Sequence, residues 1–297
     1  MTSAQKQDFL ARLRSGPVLI ADGAMGTMLQ KAGLRVGEAS ERWNIENPDA
    51  VRKIHEAYVD AGAQVLLTNT FGGTPLRLMA KGLADRLVEV NRNAVTIARL
   101  AAGERAFVVG DIGPTGQLLH PLGTLSVQAA TEAFAAQAMA LAEGGADALL
   151  IETMSDLEEA KAAVQGVRSV TQLPLLVTMS FDTKGRTMMG VRPQTAAHEL
   201  WDLGVEAIGA NCGRTLEESL QAIVLMRAAV PDAVLMAKPN AGLPQIHDRN
   251  VVYEVDPQVM GEYAVRFADL GVRIIGGCCG STPDHIRGIA QALHRAP

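Results

Sequence analysis

Eight short apolar runs recur along the chain, each followed by a stretch of helical periodicity, and this alternation constrains the fold most. The runs are Pro17–Ala21, Gln64–Thr68, Ala106–Gly110, Ala146–Ile151, Leu175–Met179, Val205–Ala210, Ala233–Ala237 and Val272–Ile275. They are apolar almost throughout rather than at every second position, as in parallel strands buried on both faces. A helix is expected from Asn47-Pro48-Asp49 through Gly62, and others over Asp85–Ala101 and Val127–Glu143. A further helix starts at Ser155, where Ser155 and Glu158 read as a capping box. The rest are expected over Gln194–Leu203, Thr215–Val230, Asp256–Leu270 and Thr282–His294, with a polar insertion containing Tyr253 before the seventh unit's helix. Eight strand–helix units of the α/β class close into a (β/α)8 TIM barrel. A doubly wound open sheet is the alternative, but no GxGxxG follows the first strand. A length of 297 residues suits one barrel domain over 1–297, and a hydrophobic share of 48% supplies its core.

In such a barrel the active site lies at the C-terminal ends of the strands. The polar residues that close the runs are Asp22, Asn69, Asp111, Glu152, Asp182, Cys212, Asn240 and the Cys278-Cys279 pair. These include all three cysteines of the chain. A lone buried cysteine is more often a small core hydrophobe than a ligand. A disulfide from Cys212 to either neighbour would leave an odd thiol. Three thiols at the ends of the sixth and eighth strands, flanked by glycines, instead suggest a zinc site with one coordination position open. One strand separates those two in a closed barrel, so their ends lie within roughly 10 Å. Zinc held by three thiolates activates water poorly but suits a substrate thiol, whose pKa it lowers from about 8.5. The resulting thiolate attacks an alkyl carbon, so the site chemistry points to thiol alkylation rather than hydrolysis.

The chain resembles the homocysteine S-methyltransferases from about Gly16 to Ala290. The markers are Asp22-Gly23-Ala24-Met25-Gly26-Thr27, Thr68-Asn69-Thr70-Phe71-Gly72, Gly110-Asp111-Ile112-Gly113-Pro114 and Glu152-Thr153. Asn211-Cys212-Gly213, Pro239-Asn240-Ala241-Gly242 and Gly276-Gly277-Cys278-Cys279-Gly280 complete them. The resemblance implies that Cys212, Cys278 and Cys279 bind one zinc ion and that the homocysteine sulfur takes the fourth site. It also implies that Asn240 occupies that site when substrate is absent. Carried over, Glu152 binds the α-ammonium, and Asp22 with the Gly23-Ala24 backbone orients the carboxylate end. Asn69 and Asp111 are further substrate-binding candidates. For these two and for Asp182, a purely structural role is an equal reading.

The methyl donor is less legible. A quaternary ammonium such as betaine is held by aromatic faces, and aromatic residues make up only 4% of the chain, with Trp43, Phe71 and Tyr253 near the rim. Betaine-using relatives carry a tyrosine just after the Thr-Phe pair, where this chain has Gly72. The Thr68–Gly72 segment looks more like the homocysteine module of cobalamin-dependent methionine synthase. That enzyme adds folate and corrinoid domains, for which this chain has no length. Methylcobalamin on a separate corrinoid protein is therefore the expected donor, with betaine or S-methylmethionine as alternatives. Two other classes compete: a class I aldolase using Lys238, for which an ion pair with a rim carboxylate is the plainer reading, and a non-catalytic protein with structural zinc. The six histidines, His55, His120, His198, His247, His285 and His294, read as surface or capping residues. A net charge of −5 argues against a nucleic-acid partner. No run approaches the ~20 apolar residues of a membrane span, and Met1–Ser15 lacks the apolar core of a signal peptide. A cytoplasmic setting follows, in which thiols stay reduced.

Overall fold

The computed structural model describes residues 3–247 and 250–295. Eight parallel strands form the barrel: β1 (Leu19–Ile20), β2 (Val65–Leu67), β3 (Phe107–Ile112), β4 (Ala148–Met154), β5 (Leu175–Met179), β6 (Ala207–Cys212), β7 (Leu235–Pro239) and β10 (Val272–Ile275). The polar insertion after β7 forms a small antiparallel hairpin, β8 (Gln245–His247) with β9 (Asn250–Val252). The hydrogen-bonded order is β1-β10-β7-β6-β5-β4-β3-β2, and a parallel bridge from Ala21 to Val65 closes the ring. The barrel expectation therefore holds, closure included.

Successive residues of a strand point to opposite faces, and here that alternation sorts the core into two clusters. Leu66, Val108, Leu149, Val177, Ile208 and Ile275 pack outward under the helices. Leu19, Ala21, Val65, Leu67, Val109, Ala148, Leu150, Leu176, Ala207, Met236 and Ile274 fill the interior. Phe9 and Leu13 join this interior cluster. They come from a helix over Ser3–Arg14 that the apolar-run pattern does not reveal. Phe9 meets Phe107 edge to face with centroids 5.3 Å apart. Arg273 ties the end of that helix down by donating to Leu13 O at 3.1 Å and Gly16 O at 2.7 Å. The N-terminal end of the barrel is thereby plugged with hydrocarbon.

The helices fall close to their expected bounds, for example Pro48–Asp60, Leu216–Ala229 and Pro257–Asp269. The capping box is corrected. That helix spans Leu157–Val170, and Asp156 rather than Ser155 caps it by accepting from the Glu158 N–H. Starting later places Glu158 in the second helical position, where it cannot reach back to close the box. One histidine is also corrected. His55 is fully buried on the Pro48–Asp60 helix, and neither ring nitrogen has a partner. His285 does cap, accepting from the Thr282 N–H at 3.1 Å, while His120, His198 and His294 are exposed. The His247 side chain lies outside the described residues. Among the described residues no helix is long and apolar enough to cross a membrane.

Candidate active site at the barrel mouth

The alternation that fills the barrel floor also sets its polar ceiling. Two residues beyond the interior positions Val109, Leu150, Leu176, Gly209 and Met236 stand Asp111, Glu152, Thr178, Asn211 and Lys238. All five are nearly or fully buried. They lie below a cavity of about 300 Å³, whose lining includes Asp22, Asp111, Glu152, Lys238 and the three cysteines.

The cysteines arrive from two strands. β6 runs on to Cys212, two residues beyond its expected end. There the backbone turns sharply, with φ 57° at Cys212 and 82° at Gly213. A left-handed conformation costs a non-glycine residue about 1–3 kcal/mol, whereas the following glycine adopts it freely. Cys278 and Cys279 follow β10 after the two residues Gly276 and Gly277. β6 and β10 flank β7, and the three Sγ atoms lie within 4.8 Å of one another. Cys212 and Cys278 approach to 2.9 Å, and all three thiols are free. Hydrogen bonds from Cys212 and Cys278 hold Cys279 far below the ordinary thiol range, while hydrogen bonds to its two neighbours push Cys212 up. Three convergent sulfurs suit a soft metal ion in place of their protons. At Gly280, φ is 80° and an added Cβ would stand 2.1 Å from the Tyr253 ring, so that ring lies flat against the thiol loop. Asn240, just past β7, donates from Nδ2 to Gly213 O at 2.7 Å. Its Oδ1 is buried without a partner and is a free lone-pair donor beside the thiol loop.

Three carboxyl groups and one ammonium share the cavity lining with the thiols. Asp22 accepts from the Leu67 N–H at 2.8 Å and from Lys238 Nζ at 3.3 Å. Burial raises its pKa against the pull of Lys238. Burial pushes Glu152 up to about 7, opposed by Lys238. Burial and the neighbouring Glu152 push Asp111 well above the usual carboxylate range. Glu152 Oε2 and Asp111 Oδ1 have no hydrogen-bond partner. Two unpaired carboxyl oxygens in a closed space demand a cation or donor to complete them. For Lys238, burial favours the neutral amine, but the charges of Asp22 and Glu152 outweigh it and hold the ammonium above its ordinary pKa. An amine that attacks a carbonyl must be neutral, so the ion-pair reading of Lys238 prevails over the aldolase one.

The remaining candidates divide. Ala24 N–H donates to Ser281 Oγ at 3.1 Å, and Tyr58 OH donates to Ala24 O at 3.0 Å. These bonds pin the Gly23-Ala24 segment at the cavity wall. Asn69 lines the cavity, but its amide donates to Ser40 O at 2.8 Å and Asn44 Oδ1 at 2.9 Å, so it holds the wall together. Asp182 is exposed and accepts from Thr183 Oγ1 at 3.1 Å. Of the rim aromatics, Phe71 lines the cavity, whereas Trp43 packs on the outer core. Sequence reasoning gave no role to Asn211, Thr153 or Thr178. The period-two step above Gly209 and Leu176 marks Asn211 and Thr178. Nothing in the sequence marks the left-handed φ of 63° at Thr153.

A family model described as homocysteine S-methyltransferase matches residues 19–293. The methionine synthase of Mycobacterium leprae (strain TN) is 35% identical over 298 residues, covering 94% of this chain and 24% of that protein. The methionine synthase of Mycobacterium tuberculosis (strain ATCC 25618 / H37Rv) is 34% identical, covering 99% of this chain and 26% of that protein. This chain thus spans about a quarter of the length of these two relatives. Among solved structures, the metallated form of the homocysteine methyltransferase MmuM from Escherichia coli superposes with a TM-score of 0.80 at 25% identity, covering 95% of this chain and 98% of that one. A methyltransferase from Methanosarcina mazei, at 14% identity and a TM-score of 0.61, shares the fold. The chain belongs to the homocysteine S-methyltransferase family.

Proposed function

We propose that this barrel transfers a methyl group to the thiol of L-homocysteine, forming methionine, with zinc held by Cys212, Cys278 and Cys279. The observation that carries this reading is the cavity itself. Its lining brings together three convergent thiols and two buried carboxyl oxygens that lack partners, the complement of a thiol joined to an ammonium. When bound, zinc would acidify the substrate thiol and leave its sulfur electron-rich. The protein's own groups do the rest. Glu152 and Asp111 accept the ammonium N–H groups, a charge-assisted contact that favours their ionised forms. Lys238 holds Asp22 in place, and Asp22 in turn holds the β2 backbone at Leu67. Asn240 Oδ1, buried without a partner, would be available to the metal as a fourth ligand. In the transfer, a sulfur–carbon bond forms as the donor's bond to its methyl carbon breaks, and the departing atom keeps the electron pair.

Methylcobalamin on a separate corrinoid protein is the donor we favour. The likeness of the Thr68–Gly72 segment to the homocysteine module of cobalamin-dependent methionine synthase, and the scarcity of aromatic rings at the cavity, support it. Among the described residues Phe71 is the one aromatic lining the cavity, too little to enclose a quaternary ammonium. A donor screen at fixed homocysteine, with betaine, S-methylmethionine and methylcobalamin, tests this. Methionine formed from methylcobalamin alone is the expected result, and strong turnover with betaine would overturn the donor assignment.

A further inference from the structure

Asn211 is a buried amide whose contacts fix its orientation. Its Oδ1 accepts from the Thr153 backbone N–H at 2.9 Å and from Thr178 Oγ1 at 2.8 Å. A backbone N–H can only donate, so that end of the amide is the oxygen. Nδ2 then faces Thr153 Oγ1 at 2.6 Å and the sulfurs of Cys212 and Cys278, each at 3.8 Å. One amide hydrogen serves the threonine hydroxyl, and the other is shared between the two sulfurs. No described hydrogen bond joins Asn211 to Cys279.

The surrounding backbone is bent to make this arrangement. Thr153 and Cys212 are two of the three non-glycine residues at positive φ among the described residues. Both are bonded to the Asn211 amide. The strand pairing of β4 with β5 shifts register between Ile151 and Met154, which frees the Thr153 N–H to turn towards Asn211. Strain of this kind persists only where the surroundings over-determine it.

We infer that Asn211 is the positioning residue of the thiol triad: its shared N–H keeps the Cys212 and Cys278 sulfurs weaker nucleophiles than the substrate sulfur beside them. The inference rests on the thiol-methylation reading above. A methyl donor at the mouth meets protein sulfurs as well as the substrate's, and only the substrate's is to be alkylated. A hydrogen bond to a thiolate withdraws lone-pair density, and such outer contacts commonly tune ligating groups. Cys279, which lacks the contact, is an internal reference.

The test is alkylation of the cobalt(II)-loaded chain by iodoacetamide, with rates resolved for each cysteine by peptide mapping. Asn211→Asp keeps the shape and the acceptor for Thr153 and Thr178 but removes both donors. Expected are rates about three- to tenfold faster at Cys212 and Cys278, with Cys279 unchanged within about twofold. The sulfur-to-cobalt charge-transfer band should also move to lower energy. Thr178→Val, which loosens the amide without removing it, should shift the same two rates by less. If Asn211→Asp fails to hold cobalt, Thr178→Val alone decides. Unchanged rates at Cys212 and Cys278 with cobalt retained, or equal acceleration at all three cysteines, would overturn the inference. The underlying reading fails separately, if homocysteine leaves the wild-type cobalt spectrum unaltered.

Discussion

The two ends of the barrel are built from the same eight strands, yet their inward-facing side chains are satisfied in different ways. At the N-terminal end, Phe9 and Leu13 cover Leu19, Val65, Leu150 and Ile274, and the layer is complete without any outside group. One or two steps along the same strands, Asp111, Glu152, Lys238 and the thiols crowd a cavity in which Glu152 Oε2 and Asp111 Oδ1 lack partners. The difference shows where stability resides and where binding energy waits. The plugged end stabilises the closed sheet; the mouth carries strain and like charges that the proposed metal and substrate would complete.

That contrast can be broken from either side. Cys212→Ala should give the largest effect, with bound metal falling from about one per chain to near zero and methyl transfer to homocysteine abolished. Metal analysis and the transfer assay check this, and far-ultraviolet circular dichroism should be unchanged. Phe9→Ala should do the converse. It should cost about 3–5 kcal/mol in urea unfolding while leaving the KM of the folded fraction for homocysteine unaltered. A change in that KM would mean that the two ends are coupled.

Glu152→Gln should lower kcat/KM for homocysteine by about ten- to a hundredfold, the loss expected for one charged hydrogen bond. The enzyme should then distinguish homocysteine less sharply from 4-mercaptobutanoate, which lacks the amino group. Because Glu152 must be ionised to receive the ammonium and its pKa lies at about 7, the wild-type KM should rise as pH falls below 7. In Glu152→Gln that rise should flatten.

The smallest effect belongs to His55, in the helical layer outside both ends. Burial lowers its pKa to about 4 from 6.5. The unfolded chain therefore takes up a proton at pH values where the folded one does not. The stability His55 contributes is complete above pH 6.5 and is lost as pH falls towards 4. Between pH 7.5 and 5.5 this amounts to about 1 kcal/mol, and His55→Leu should abolish that part of the pH dependence in denaturant titrations.

Much of this contrast could be read before the structure. Apolar runs mark the eight strands because a parallel barrel buries both faces of each. The strand ends mark Asp22, Asp111, Glu152, Asn240 and the cysteines for the same reason. The Ser3–Arg14 helix escapes notice because its helical signal is weak and its two buried side chains matter only through the barrel floor they meet. Asp156 takes the cap from Ser155 because β4 runs on to Met154, which delays the helix. Asn211 was visible as a neighbour of Cys212, but its role depends on the Thr153 turn and the β4–β5 register shift, tertiary facts that local propensity does not encode.

The most direct measurement is X-ray absorption at the zinc edge of the purified chain, with and without homocysteine. The account predicts three sulfur neighbours in the free protein and four once homocysteine is added, with no such gain for homoserine, which has a hydroxyl in place of the thiol. A sulfur count that stays at three with homocysteine present, or a fully active chain without zinc, would contradict it.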